Sequence, residues 1–145
     1  MRRILVLQGP NLNLLGRREP SIYGERDLAS LEAELQRWAA RLDLTLEFTQ
    51  SNHEGELIDA LQGAIDRCDG VVFNPGGYSH SSVALRDCIT ALELPVIEVH
   101  LSNLHAREPW RQASLTGGAA RGVISGFGED SYRLALLQLA GIHEA

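Results

Sequence analysis

The chain has no lysine; its 13 basic side chains are all arginines. No side-chain amine is present to form a Schiff base with a carbonyl substrate, so imine chemistry through a side chain is excluded. Cysteine is scarce: Cys68 and Cys88 are the only two, and they form no CxxC pair. That leaves out a disulfide framework and a zinc site built on paired thiolates. An excess of positive charge is missing, the formal net charge being -6, and without a basic field nucleic acid is not an expected partner. Long apolar runs are missing too. Ile4 to Leu7 follows Met1-Arg2-Arg3 and stops at Gln8-Gly9-Pro10, against roughly 7–15 apolar residues for a secretory segment and about 18 for a membrane span. No membrane association is expected, and the cytoplasm is the expected compartment.

What is present reads as one domain over residues 1–145. A chain of this length buries about 68–70% of its unfolded surface, enough for a core without metal or disulfide staples. Its 44% apolar and 22% charged residues are those of an ordinary globular protein. Every cation is a permanently charged fork, suited to carboxylates.

Strand-like and helix-like segments alternate along the chain. Apolar or alternating runs occur at Ile4–Leu7, Leu44–Phe48, Val71–Phe73, Val96–Val99 and Val123–Phe127. Between them, Leu28, Leu31, Leu35, Trp38 and Leu42 keep helical spacing after an Asp27 N-cap. Ser51 and Glu54 have the spacing of a capping box ahead of Leu57, Leu61, Ala64, Ile65 and Cys68. A third helix is expected from near Ser81, with Val83, Leu85, Cys88, Ile89 and Leu92. A fourth runs from about Ser131 to Ala140 and is apolar nearly all round. Parallel strands need crossovers, so the pattern predicts an α/β fold with a five-stranded parallel sheet and helices on both faces. Ligands of such sheets bind outside the carboxyl ends of the strands.

The polar residues collect in those places. GPNLNLLGRREPSIYG (9–24) follows the first strand, NPGGYSHSS (74–82) the third and HLSNLHAREPWR (100–111) the fourth. Asn11, Asn74, His80, His100, Ser102 and Arg111 are thereby candidates for one cleft. The stretch from Gly9 to Arg26 has no clear regular element and exceeds the ~12–15 residues beyond which loops tend to be functional or disordered. Its glycines and Pro20 suit a hinged lid, with Ile22 and Tyr23 packing when it closes. Arg17 and Arg18 precede Tyr23, and nearby cations in a drying loop favour an ionised tyrosine. In a plainer reading, Tyr23 anchors the loop and the arginines are solvated. Glu98 and His100 alternate on a strand and share a face, so the carboxylate can orient the ring; a histidine bonded to backbone is the alternative. His80 opens a helix and serves equally as a cap, and Asp87 reads as a solvated helix charge. GYSHSS (77–82) lacks the second glycine of a nucleophile elbow. His100 and His105 have no third ligand in register for a metal. Gly126 and Gly128 are only a fragment of a dinucleotide fingerprint.

At these loops the sequence resembles the type II 3-dehydroquinate dehydratases along nearly its whole length. The resemblance is carried by GPNLNLLGRREPSIYG, QSNHEGELIDAL (50–61), NPGGYSHSSVALRD (74–87) and PVIEVHLSNLHAREPWR (95–111). Gln8 stands where the family more often has Asn, Trp110 where Phe is usual, and Gly117-Gly118 in a stretch that tends to differ. The resemblance implies a flavodoxin-like fold and dehydration of 3-dehydroquinate to 3-dehydroshikimate, in the shikimate pathway, without metal or organic cofactor. It implies Tyr23 as the base at C2, Arg18 holding that tyrosine ionised, and Asn11 supporting the enolate oxygen through a water. His100 is then the acid at the C1 hydroxyl, with Glu98 behind it. Asn74, the backbone of Leu101 and Ser102, His80 and Arg111 become substrate contacts, with Arg107 an accessory cation. Asp87 falls where the family binds across a subunit boundary in trimers grouped into dodecamers. Two other readings compete: a non-catalytic binding module of the same fold, and a hydrolase using Ser79 or Ser81.

Overall fold

The computed structural model describes residues 1–23 and 26–141. Gly24 and Glu25, within the expected lid, lie outside the described residues. Five strands, β1 (Arg2–Gln8), β2 (Leu44–Gln50), β3 (Gly70–Asn74), β4 (Val96–His100) and β5 (Gly122–Ser125), form one sheet in the order β2-β1-β3-β4-β5. Every pairing is parallel. Each strand of the expected pattern is therefore found. The last is shorter than expected, because Gly126 has φ 97 and turns the chain, leaving Phe127 65% exposed.

Side-chain alternation divides the core between the two faces of the sheet. Ile4, Val6, Val72, Ile97 and Val99 pack against α2 (Leu28–Arg41) and α5 (Asp130–Leu139). Leu5, Leu7, Val71, Phe73 and Val96 pack against α3 (Glu54–Gly63) and α4 (Val83–Ala91). Strands buried on both faces read as continuous apolar runs, as these do. Among the described residues no helix is long and apolar enough to cross a membrane.

The helix starts depart from expectation at one point. Asp27 caps α2 by accepting from the Ser30 N–H at 2.8 Å, but no Ser51–Glu54 capping box forms. His53 is the N-cap of α3 and makes no side-chain cap. Ser51 Oγ accepts from the His53 N–H and donates to Glu56, while Glu54 accepts from the Ser82 hydroxyl. A partner on a neighbouring helix thus competes successfully for the glutamate. Ser82, rather than Ser81, caps α4 through the Leu85 N–H. The long loop after β1 also carries two short turns, a 3-10 turn at Leu12–Leu14 and the single helical turn α1 (Pro20–Tyr23).

The loop after β1 is held against the loop after β3 by backbone. The Gly9 N–H donates to the Asn74 carbonyl at 2.7 Å, and a Cβ on Gly9 would stand 2.6 Å from the Pro75 oxygen. No rotamer relieves a clash of Cβ with backbone. Gly9→Ala should cost about 1–3 kcal/mol of stability, the range for overpacked sites, visible as a lower urea midpoint. An unchanged midpoint would show that these two loops are not tightly apposed.

Candidate active site

Three loops leaving the carboxyl ends of β1, β3 and β4 enclose a cavity of about 30 Å³. Arg18, Tyr23, Asn74, His80, His100, Leu101, Ser102, Arg107 and Arg111 line it, with Pro10, Leu12, Gly76, Gly77 and Leu104. Three expected site residues lie elsewhere. Glu98 sits behind His100. Asn11 is exposed beside the rim, in a left-handed conformation (φ 70), its N–H bonded to Asn52 Oδ1 at 3.0 Å. Asp87 is exposed on α4.

His100 ends β4, two residues after Glu98, and is 5% exposed. Its Nε2 meets Glu98 Oε2 at 2.9 Å, which leaves Nδ1 as the nitrogen able to carry a proton into the cavity. Glu98 also accepts from Ser114 Oγ at 2.8 Å and from the Thr116 hydroxyl. Burial pushes this carboxyl's pKa up. The hydrogen bond and charge of His100, with the bonds from Thr116 and Ser114, outweigh that and hold it below the usual carboxylate range. Ser114 and Thr116 went unnoticed in the sequence; their one signal is two hydroxyls at alternate positions in ASLT (113–116).

Tyr23 faces two cations. The guanidinium carbons of Arg18 and Arg107 lie 4.5 and 5.0 Å from its ring centroid. Arg107 also donates to Ser102 Oγ at 3.3 Å, and Arg111 is paired with Glu108. Tyr23 packs against the core as the lid reading expects, but Ile22 remains 39% exposed. Arg17 does not line the cavity.

His80 lies 6.5 Å from His100, centroid to centroid, and 5.7 Å from Trp110. Its Nδ1 is 2.8 Å from the Ala113 carbonyl, which can only accept, so Nδ1 carries the proton. In the neutral ring Nε2 is then the acceptor for Ser79 Oγ at 3.2 Å. This Ser79–His80 contact is the most that a hydrolase reading finds. Ser79 is fully buried and its histidine is oriented by a backbone carbonyl, so attack on a substrate is blocked.

A larger space of about 780 Å³ lies beyond Tyr23 and Arg107, which line both cavities. Its other walls include Leu15, Leu31, Gly126 and the Arg26–Glu129 ion pair. The smaller cavity gathers the histidines, Asn74 and three arginines, and is the one equipped for chemistry. It has room for little more than a water molecule or two. Neither cysteine lines either space, and burial pushes the Cys68 thiol up to about 11. Among the described residues, no group of three or more His, Cys, Asp or Glu side chains is placed to hold a metal ion.

The chain matches the family model for dehydroquinase class II over residues 2–140. It is 56% identical over 138 residues to a 3-dehydroquinate dehydratase of Gloeobacter violaceus, covering 95% of this chain and 86% of that protein. It is 50% identical over 139 residues to a catabolic 3-dehydroquinase of Aspergillus oryzae, covering 96% and 91%. The crystal structure of a type II dehydroquinase from Propionibacterium acnes aligns over 97% of each chain with a TM-score of 0.94 and 41% identity. With a match across almost its full length and a sheet that superposes on solved members, the chain belongs to the class II dehydroquinase family.

Proposed function

We propose that this hydro-lyase converts 3-dehydroquinate to 3-dehydroshikimate through an enolate, with Tyr23 as base and His100 as acid. The observation that carries the reading is the placement of Tyr23 and the Glu98–His100 pair around one cavity, with Arg18 and Arg107 against the tyrosine ring.

The Tyr23 phenolate, its negative charge stabilised by the two guanidiniums, takes the proton at C2. The electron pair moves toward the ketone and the enolate forms. Asn11 supports the enolate oxygen through a water from its position at the rim. When the enolate collapses, the C1–O bond breaks, His100 gives its Nδ1 proton to the departing hydroxyl, and water leaves. Tyr23 ends as the neutral phenol and His100 as the neutral ring, so one proton passed from the first to the second restores both. Positioned acids and bases of this kind each contribute typically 10²–10⁴-fold. The site works in a confined space where preorganised charges act strongly. Asn74, His80 and the backbone of Leu101 and Ser102 contact the substrate, and Arg111 and Arg107 match its carboxylate. Without lysine, the route has no side-chain imine. Asp87 acts on the site of a neighbouring copy, in trimers assembled into a dodecamer. Its exposure on α4, one turn after the 59% exposed Val83, supports that placement. A non-catalytic module of this fold would have no use for this convergence of acid, base and cations.

Purified protein mixed with 3-dehydroquinate should generate the ultraviolet absorbance of the conjugated enone; a flat trace sinks the reading. Tyr23→Phe should lower kcat by at least 10²-fold while leaving the circular dichroism spectrum unchanged. Activity retained within about tenfold would place the base elsewhere.

Arg18→Ala should lower kcat by about 10²-fold, the scale of one positioned catalytic group, with an unchanged circular dichroism spectrum. Arg18→Lys should rescue poorly, since an ammonium does not reproduce the planar fork. If Arg18→Ala raises KM and leaves kcat unchanged, Arg18 only binds substrate.

A further inference from the structure

Behind Asn74 runs a buried polar chain that the reaction as described does not use. The Gly76 N–H donates to Asn74 Oδ1 at 3.1 Å, and Asn74 Nδ2 donates to the Tyr132 hydroxyl at 2.8 Å. That hydroxyl donates to Gln8 Oε1 at 2.6 Å. Tyr132 and Gln8 have no exposed surface and Asn74 has 3%. Gln8 lies 124 positions from Tyr132 and ends β1, Asn74 ends β3, and Tyr132 belongs to α5.

The polarity of this chain is forced from one end. A backbone N–H can only donate, so the atom of Asn74 facing Gly76 must be the carbonyl oxygen, and the amide nitrogen must face Tyr132. The tyrosine oxygen then receives a proton and has to pass its own to the next acceptor, Gln8 Oε1. Gln8 Nε2 is left over, buried and without a partner. An orphaned buried amide is costly. Flipping Gln8 would satisfy nothing: two amide nitrogens would then donate to the tyrosine oxygen and its own proton would have no acceptor. Burial pushes the Tyr132 phenol far above the ordinary range, so it keeps the proton that the chain requires and cannot serve as a base.

We propose that Tyr132 is a positioning residue for the reaction: its hydroxyl fixes the Asn74 amide in the orientation that leaves one N–H of Nδ2 to bind an oxygen acceptor of the substrate. Asn74 lines the cavity, and the bonds above commit its Oδ1 to Gly76 and one of its two N–H groups to Tyr132. The inference rests on Asn74 being a substrate contact. Without Tyr132 the amide nitrogen loses its buried acceptor, and the amide is free to rotate away from the substrate.

The test is a double-mutant cycle on kcat and KM for 3-dehydroquinate with Tyr132→Phe, Asn74→Ala and the double variant, each assayed well below its unfolding temperature. Tyr132→Phe should lower kcat/KM roughly tenfold, the scale of one hydrogen bond, mainly by raising KM. In the Asn74→Ala background it should lower it no further, because the group it positions is gone. A tyrosine that merely supports the core would instead cost the same factor in both backgrounds, and that overturns the inference, as does a Tyr132→Phe enzyme with unchanged kcat/KM. An Asn74→Ala enzyme with wild-type kinetics overturns the substrate contact as well, so the two failures are distinguishable. Should Tyr132→Phe fold poorly, Gln8→Met removes the acceptor of the tyrosine proton while keeping the aromatic packing. It carries the same expectation, a loss that vanishes in the Asn74→Ala background.

Discussion

Glu98 is a carboxylate with none of its surface exposed, near the end of the fourth strand of a sheet covered on both faces. A charge in that position is very costly unless bonded from every side. His100 comes from the same strand, while Ser114 and Thr116 must be brought back by the long connection between β4 and β5. The path of that connection is therefore constrained, and along it lie Ser102, Arg107 and Arg111, which line the cavity. His100, the proposed acid, and much of the cavity wall are parts of the solution to one buried charge.

The same bonds couple the site to acid. Since Glu98 is held below the usual carboxylate range in the folded chain, it contributes stability above its unfolded pKa of about 4.3, and that contribution is lost as the pH falls through the lower folded value. Protonating Glu98 removes both the stabilising charge and the group that orients His100. Arg18 and Arg107 face the ring of Tyr23, and Tyr23 and Arg107 line both the space of about 30 Å³ and the one of about 780 Å³.

The sheet was legible because burial on both faces turns each strand into an apolar run, and Ile4–Leu7, Val71–Phe73 and Val96–Val99 sit inside observed strands. The cleft was legible because Asn74 and His100 end strands, where parallel sheets place their ligands. Local signals failed where a distant partner intervened. Glu54 has the spacing of a capping box with Ser51, but Ser82 of α4 claims it. Phe127 looked like the end of a strand until Gly126 turned the chain. Ser114, Thr116, Gln8 and Tyr132 could not be read in advance, because their hydrogen bonds run to partners 16, 18 and up to 124 positions away. Tyr132 in particular looks from the sequence like one more large residue on the buried face of α5.

The central claim is that the proposed base and acid are separate groups lining one cavity, joined only by the substrate. It is tested most directly by His100→Ala incubated with 3-dehydroquinate in deuterated water. The account predicts that dehydration is lost while deuterium still enters C2, because Tyr23 continues to form the enolate. Loss of exchange together with dehydration would contradict it, since His100 would then be needed for removing the proton as well as for expelling the hydroxyl.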